Sequence, residues 1–246
     1  MSKNMISSTY IGTSGWNYEH WRDIFYPATF AKSKWLAFYA QNFNTIEVNA
    51  TFYRLPKPET FENWRQTTPH GFLWAVKANR YITHIRRLKD AGEPLERFFS
   101  AARALKEKLG PVLFQLPPSL AFDQDTFQDF CSNVRIYKHR CVFEVRHKSW
   151  LEENVLARLE ESGIAFCISD TAGRHPYSEA VTADFVYIRL HGSRKLYASN
   201  YTEEELQVWG EKIRRWNRET YVYFDNDFGG YAPKNAARLK EIMGLG

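Results

Sequence analysis

Short runs rich in β-branched and aromatic residues recur eight times along the chain, and stretches with the periodicity of amphipathic helices separate most of them. Strands that alternate with helices form parallel sheets, because right-handed crossovers return each strand in the same direction. The predicted strands are 10–13, 45–49, 73–78, 112–116, 141–145, 165–169, 185–190 and 221–224. Eight such units within 246 residues match a TIM-type (β/α)8 barrel.

The helices between these strands have recognisable ends. The clearest is predicted from Leu95 to Leu109, where apolar residues recur at three- and four-residue steps before Gly110 and Pro111. Ser149 and Thr202 each precede a Glu by three residues, which is the spacing of a capping box. Further helices are predicted over 33–41, 58–67, 125–134 and 233–243. No helical pattern occupies 170–184, so the crossover between strands six and seven is expected to be irregular.

An open, doubly wound sheet has the same alternation of strands and helices. We favour the barrel because no predicted strand leads into a G-x-G-x-x-G or G-x-x-x-x-G-K-[ST] turn, and because polar residues follow strands all round the set. No linker rich in Pro, Gly or Ser and no internal repeat divides the chain. The sequence therefore predicts a single domain over 1–246.

Composition and cysteine usage indicate a globular protein of the cytoplasm. The chain is 44% hydrophobic and 25% charged, which excludes a disordered chain. The three cysteines, Cys131, Cys141 and Cys167, show no C-x-x-C spacing, so neither a disulfide framework nor a zinc site is expected. No segment is apolar enough to span a membrane, and the first 30 residues lack a signal-peptide pattern.

Charged and amide residues follow nearly every predicted strand. In TIM barrels the carboxyl ends of the strands surround the active site. The residues at these ends are Glu47, Asn49, Lys77, Asn79, Gln115, Glu144, Arg146, Asp170, Arg189, His191 and Asp225. Any one of them is also explained as a structural polar group whose bonds are satisfied inside the barrel, as in a Glu–Lys or Glu–Arg pair. So many ionisable groups at one end favour a functional site over a core.

The candidate catalytic residues are Glu47, Glu144, His191 and Asp225. Glu47 and Glu144 are interpreted either as a general acid and base or as counter-ions. His191 is a candidate proton carrier near neutral pH, or a structural histidine. No H-x-x-x-H or H-x-D spacing accompanies these residues, so we predict no metal and no cofactor.

The candidate substrate-binding residues combine cations, amides and one aromatic side chain. They are Trp16, Asn49, Lys77, Asn79, Arg146 and Arg189. Guanidinium and ammonium groups suit phosphate or carboxylate oxygens. Trp16 belongs to an aromatic loop that either stacks a ring of the substrate or forms its own small core.

Motifs in a fixed order cover nearly the whole chain. They are GTSGW at 12–16, TIEVNATFY at 45–53, VKANR at 76–80, GPVLFQLPP at 110–118, EVRH at 144–147, YIRLHG at 187–192 and YFDND at 223–227. This order resembles the domain-of-unknown-function family 72, also called YecE-like. The resemblance implies a TIM-type barrel and carries no established reaction, so function rests on the residues themselves.

The leading hypothesis is an enzyme acting on a small anionic substrate, phosphorylated or carboxylated. Lys77, Arg146 and Arg189 would bind the anion, while Glu144 or Glu47 moves a proton. Hydrolase, isomerase and lyase chemistry all remain open. A non-catalytic binding or scaffold barrel, whose charges are structural, is a further possibility.

The alternative hypothesis is a nucleic-acid-binding or nucleic-acid-processing protein. Lys and Arg outnumber Asp and Glu by 33 to 28, which suggests anionic partners without requiring nucleic acid. An exposed stripe through Arg80, Arg86 and Arg87 would suit a polyanion, whereas deep cations would suit a small ligand. The position of the cations therefore separates the two hypotheses.

Overall fold

The computed structural model describes residues 8–245, and residues 1–7 and 246 of the predicted 1–246 domain lie outside the described part. Eight parallel strands pair in the order β1-β8-β7-β6-β5-β4-β3-β2 and form a nearly closed barrel. The strands are β1 Thr9–Thr13, β2 Thr45–Val48, β3 Leu73–Lys77, β4 Leu109–Gln115, β5 Cys141–Glu144, β6 Ala165–Asp170, β7 Phe185–Leu190 and β8 Glu219–Phe224. The predicted TIM-type barrel is confirmed.

Helices cover the outside of the barrel between the strands. They are α1 Trp35–Asn42, α2 Ala50–Tyr53, α3 Pro58–Thr67, α4 Gly92–Ala102, α5 Gln124–Arg135, α6 Glu153–Glu161, α7 Glu203–Trp216 and α8 Tyr231–Met243. The capping box before α7 is confirmed: Thr202 accepts a hydrogen bond from the backbone of Glu205, whose side chain bonds the backbone of Thr202 in return.

The predicted helix from Leu95 to Leu109 is wrong at its carboxyl end. α4 stops at Ala102, a 3-10 segment follows, and Lys106 has a φ of 52° that breaks the helical path. Gly110 and Pro111 lie inside β4 and do not simply terminate a helix. The register between β3 and β4 shifts next to them, which accommodates a proline that has no N–H to donate.

The capping box predicted at Ser149 does not form. The Ser149 hydroxyl accepts the backbone N–H of Phe122 at 2.7 Å and lies 2.9 Å from Nδ1 of His147. Residues Lys148–Leu151 instead make a 3-10 turn, and α6 begins only at Glu153. A contact 27 residues away has taken the hydroxyl that local spacing assigned to a helix cap.

The connection between β6 and β7 is irregular, as predicted. Within the described chain, residues 171–184 form turns and bends but no helix. Thr182 fixes the end of this connection, since its hydroxyl accepts the N–H of Phe166 at 2.8 Å and donates to the carbonyl of Ile164 at 2.7 Å. A loop therefore lies beside α7 at the position where a regular (β/α)8 barrel has an outer helix.

β1 and β2 stand at the two ends of the pairing order, and no backbone ladder joins them among the described strand pairs. We call this junction the seam. The Tyr39 hydroxyl fills the gap: it accepts the N–H of Thr13 at 2.9 Å and donates to the carbonyl of Thr45 at 3.1 Å. Gly12 allows this close approach, because a Cβ there would overlap the Thr45 carbonyl oxygen. One buried side chain thus replaces strand pairing at the seam.

Two apolar layers support the barrel. A large core packs the helices against the outer faces of the strands, and a smaller cluster fills the barrel interior. The interior cluster includes Ala75, Leu113, Val142, Cys167, Tyr187 and Tyr223. No helix in the part of the chain that the structure describes combines the length and the apolar character needed to cross a membrane.

Candidate active site at the barrel mouth

A polar layer lies directly above the interior apolar cluster. Side chains alternate along a strand, so residues two positions beyond the inward apolar ones also face inward. This relation places Lys77, Gln115, Glu144, Ser169, Arg189 and Asp225 at the carboxyl end of the barrel, each two residues after a member of the interior cluster. Glu47 on β2 joins them through its contacts with Arg189.

Arg189 is the centre of this layer and is fully buried. Its Nε lies 3.1 and 3.0 Å from the two oxygens of Glu47, and Nη2 donates to Oε1 of Glu47 at 2.7 Å. Nη1 donates to Oε2 of Glu144 at 2.6 Å, and Nη2 also donates to Oδ2 of Asp225 at 3.2 Å. One guanidinium therefore bonds three carboxylates that come from distant parts of the chain.

Glu47 is fully buried and its carboxylate is saturated with donors. Besides Arg189, it accepts hydrogen bonds from the hydroxyls of Tyr187 at 2.6 Å and Ser14 at 2.8 Å. All of these donors belong to the protein. The geometry therefore makes Glu47 a counter-ion that holds Arg189 in place.

Glu144 lies between two arginines. Its Oε2 accepts from Arg189, and its Oε1 accepts from Nη2 of Arg146 at 3.1 Å. Burial favours the neutral acid, but the attraction of Arg189 and Arg146 outweighs it and holds the pKa of Glu144 well below its ordinary value. Glu144 is thus ionised at neutral pH, and only 14% of the Arg146 side chain reaches solvent.

His191 and Asp225 lie next to each other, and both lie beside Arg189. Nε2 of His191 lies 3.1 Å from Nη1 of Arg189, which can only donate, so the proton of the neutral ring is on Nδ1. Nδ1 is 2.9 Å from Oδ2 of Asp225, although it is not aligned for a hydrogen bond. Burial and Arg189 oppose the charged ring, but Asp225 and Glu144 outweigh them and raise the pKa of His191.

Asp225 is the cluster carboxylate with the greatest access to solvent. Its side chain is 19% exposed, against 0% for Glu47 and 1% for Glu144. Burial alone would raise its pKa, but Arg189 and then His191 stabilise the charge and lower the pKa below the ordinary value. Asp225 therefore presents an ionised carboxylate to the mouth.

Lys77 also faces the mouth, but it has no ion-pair partner within 4 Å among the described residues. Its ammonium lies 4.4 Å from the centre of the Phe52 ring, and the residue is 8% exposed. Burial, with repulsion from Arg189, lowers the pKa of Lys77 to about 8. At neutral pH the group is mostly charged, and it is held near three carboxylates without touching any of them.

The pKa of His84 is lowered in part by the positive charges around Lys77. His84 lies in a single turn of π-helix, Tyr81–Ile85, that follows β3. Burial, together with the charges of Lys77, Arg146 and Arg80, lowers the pKa of His84 to about 4. Cations thus converge on one side of the mouth, while the carboxylates lie beneath them.

Asn49, Asn79 and Trp16 are placed differently from the cluster. Asn49 has helical backbone angles just beyond β2, so the predicted strand end at 49 is one residue too long; its Oδ1 is buried without a hydrogen-bond partner. Asn79 uses its amide to bond the Thr51 carbonyl and the N–H of Tyr81, which shapes the loop. Trp16 packs edge-on against the rings of Trp64 and Trp74, away from the cluster.

Sequence reasoning missed two members of the cluster, Ser14 and Tyr187. Tyr187 lies two residues before Arg189 on β7, so both side chains face inward. Strand periodicity in the sequence could therefore have identified Tyr187. Ser14 follows β1, and its bond to Glu47 spans 33 residues, for which no local signal exists.

The carboxylates at the mouth, which would be the ligands of a metal ion, already contact a protein cation. The carboxylates of Glu47, Glu144 and Asp225 all contact Arg189. Within residues 8–245, no group of three or more His, Cys, Asp or Glu side chains is arranged to hold a metal ion. The arrangement instead offers one accessible carboxylate, one buried histidine and cations that face the mouth.

Eight parallel strands with a charged mouth define a TIM-type barrel protein. Within that class, the chain belongs to the family described as "Protein of unknown function DUF72", whose model matches residues 10–246. The YecE protein of Escherichia coli (strain K12) is 28% identical, over 87% of this chain and 84% of YecE.

Solved structures agree with this family. A DUF72 family protein from Thermotoga maritima superimposes with a TM-score of 0.87 and 30% identity, over 96% of this chain and 99% of that chain. D-psicose 3-epimerase, at 11% identity and a TM-score of 0.58 over 96% of this chain and 99% of its own, shares the barrel fold alone.

Proposed function

We propose that this chain is an enzyme that acts on a small anionic substrate, phosphorylated or carboxylated, by acid–base chemistry at the barrel mouth. Hydrolase, isomerase and lyase reactions all fit this description. The proposal rests on the residues that face the mouth, and in particular on the buried Lys77 ammonium, which has no ion-pair partner within 4 Å in the described part of the chain.

Lys77 carries the proposal. Leaving a buried ammonium without a carboxylate partner costs free energy, and the fold retains one at the carboxyl end of β3. Arg146 lies on the same side, and among the described residues its guanidinium bonds Glu144 alone, through Nε and Nη2. An incoming phosphate or carboxylate between Lys77 and Arg146 would give the Lys77 ammonium a direct ion-pair contact.

Asp225 is the proposed proton carrier, with His191 beside it. Asp225 reaches the mouth as a carboxylate and is placed to take a proton from the substrate. His191 lies behind it, with Nδ1 2.9 Å from Oδ2 of Asp225, and its raised pKa favours a charged ring that would stabilise the ionised carboxylate. Glu47, Glu144 and Arg189 act beneath them as positioning residues, because their charged groups are buried against one another.

The exposed arginines weigh against the nucleic-acid alternative. Nη2 of Arg86 lies 2.7 Å from Oδ2 of Asp90, and Arg87 donates to the hydroxyl and carbonyl of Ser119. Two of the three arginines of the predicted stripe are thus engaged with neighbours. Lys77, which has no ion-pair partner within 4 Å among the described residues, is only 8% exposed, and a buried cation favours a small ligand over a polyanion.

A thermal-shift experiment tests the proposal. Purified protein is heated with inorganic phosphate, sugar phosphates, dicarboxylates, nucleotides and short oligonucleotides, each at low and high salt. A ligand at about 100 times its dissociation constant adds about 2.7 kcal/mol of stability, which is detectable. Lys77→Met is compared with Lys89→Met, which removes an exposed lysine outside the cluster.

We expect a salt-resistant shift from one class of small anion, lost in Lys77→Met and kept in Lys89→Met. A shift that survives in Lys77→Met, or no shift with any small anion, refutes the assigned site. A salt-sensitive shift confined to oligonucleotides would support the nucleic-acid alternative instead.

Two further expectations belong to this proposal. A cytoplasmic location is supported by Cys131, Cys141 and Cys167, which are all buried free thiols. A single domain over the whole chain is supported by the pairing of β1 with β8, which joins the two ends of the sequence in one sheet.

A further inference from the structure

A cleft of about 560 Å³ opens between the irregular β6–β7 connection and α7. It occupies the side of the barrel where residues 171–184 form a loop instead of an outer helix. Ligand pockets in proteins are typically of this size, largely apolar, with a few polar groups that orient the ligand. The missing helix therefore leaves space of a size suited to a small molecule.

The walls of the cleft are aromatic and aliphatic. Trp209 and Val208 line it from α7, and Tyr177 lines it from the loop. Trp209 is 6% exposed, whereas Val208 and Tyr177 are 47% and 45% exposed. Two rings and one aliphatic side chain suit an apolar ring, which would lie beside the Lys212 ammonium, 4.6 Å from the centre of the Trp209 ring.

Two hydroxyls in the cleft lack hydrogen-bond partners among the described residues. Ser169 is 6% exposed, and its Oγ is buried and unpaired. The Oγ of Ser193 is also buried and unpaired, and both serines line the cleft. A buried hydroxyl without a partner destabilises the fold, so unpaired hydroxyls at a cavity point to a ligand with complementary polar groups.

The charges around the cleft have the opposite sign from those that line the mouth beside Lys77. Asp170, Glu204 and Glu205 line it, against Lys212. The Lys212 ammonium lies 2.7 Å from a carboxylate oxygen of Glu179, and Glu205 lies 3.8 Å from Nε of Arg194, whereas Asp170 and Glu204 have no ion-pair partner within 4 Å among the described residues. The cleft therefore repels anions and favours neutral or positively charged molecules.

We propose that this cleft is a second binding site, which takes a neutral or cationic small molecule that carries a flat ring and a hydroxyl or amino group. The ring packs against Trp209 and Tyr177, and the polar group bonds Ser169 and Ser193. Ser169 also belongs to the polar layer of the mouth, so the cleft adjoins the anion site, but Lys77, Arg146 and Asp225 do not line it and neither site requires the other.

Three probes that share one ring test the proposal: benzyl alcohol, benzylammonium and benzoate. Binding is followed by NMR of the tryptophan indole N–H groups, with the Trp209 signal identified by its absence in Trp209→Phe. We expect saturable shifts of the Trp209 signal with benzyl alcohol and benzylammonium. Benzoate should bind at least about tenfold more weakly because of the acidic rim.

Matched variants locate the binding. Val208→Trp places a large ring at the cleft edge and should abolish the shifts, whereas Gln207→Trp, at the neighbouring exposed position of α7 outside the cleft, should preserve them. Ser169→Ala should weaken benzyl alcohol binding severalfold without lowering the melting temperature, because it removes an unpaired buried hydroxyl.

Three results would overturn the proposal. They are the absence of a saturable Trp209 shift, equal affinity for benzoate and benzylammonium, and unchanged binding in Val208→Trp. Lys77→Met separates this proposal from the one at the mouth: the cleft probes should still bind to that variant, and loss of their binding would contradict a separate site.

Discussion

Replacing Arg189 with methionine should destabilise the fold by an amount that depends strongly on pH. The variant keeps a long side chain of similar bulk but removes the cation that Glu47, Glu144 and Asp225 share. Breaking a buried ion pair by removing one partner costs about 3–5 kcal/mol. With three carboxylates affected, we expect about 5 kcal/mol or more at pH 7.5, a large part of the stability of a typical domain.

The pH dependence follows from the signs of the shifts. In the native protein the pKa values of Glu144 and Asp225 are lowered, so their stabilising effect is present above the unfolded values of about 4 and disappears as pH falls. Without Arg189, burial raises these pKa values instead. The carboxylates of the variant then become neutral on mild acidification, so its deficit should shrink between pH 7.5 and pH 5.

Urea unfolding followed by circular dichroism at the two pH values measures this difference. Arg238→Met is the matched control, because Arg238 also contacts two carboxylates, those of Glu203 and Glu241, but on the surface. Exposed ion pairs contribute little, so the control should unfold near the native midpoint. A deficit below about 1 kcal/mol for the Arg189 variant at pH 7.5, or one that is equal at both pH values, would refute the reasoning.

Four other changes have defined outcomes. Tyr39→Phe should lower the free energy of unfolding by about 1–3 kcal/mol, because the buried N–H of Thr13 loses its acceptor; unchanged urea unfolding would contradict the bridge. Thr202→Ala should cost about 1 kcal/mol in the same assay through loss of the α7 cap. Anion affinity should fall as pH rises through about 8, where Lys77 loses its proton, and calorimetry should show this loss disappearing in Lys77→Arg. Glu144→Gln should abolish turnover of an identified substrate while the protein stays folded, and full activity would exclude a role of Glu144 in positioning Arg189 for the reaction.

Local patterns were sufficient to predict the barrel and the set of charges at its mouth. Each predicted strand is present because period-two and period-3.6 patterns depend on residues close together in the chain. The same alternation placed Glu47, Glu144, Arg189, His191 and Asp225 at one end, where the structure joins them in a single cluster.

The pairing within the cluster could not be predicted, because it depends on contacts between distant residues. Whether Glu47 is a reactive acid or a saturated counter-ion depends on Ser14 and Tyr187, which are 33 and 140 residues away. The packing of Trp16 against Trp64 and Trp74 has the same origin. Sequence periodicity determines which face a side chain occupies, and tertiary structure determines which partners it meets.

The seam between β1 and β2 also determines the order in which the barrel can be completed during synthesis. Among the described strand pairs, the first strand has a ladder with β8 and with no other strand. β8 lies at 219–224, so the backbone groups of β1 wait until all the other strands have been synthesised. Such distant pairing is slow, and an unpaired strand edge promotes association with other chains until it is covered. The ring therefore closes in one late step that joins the first strand to the last.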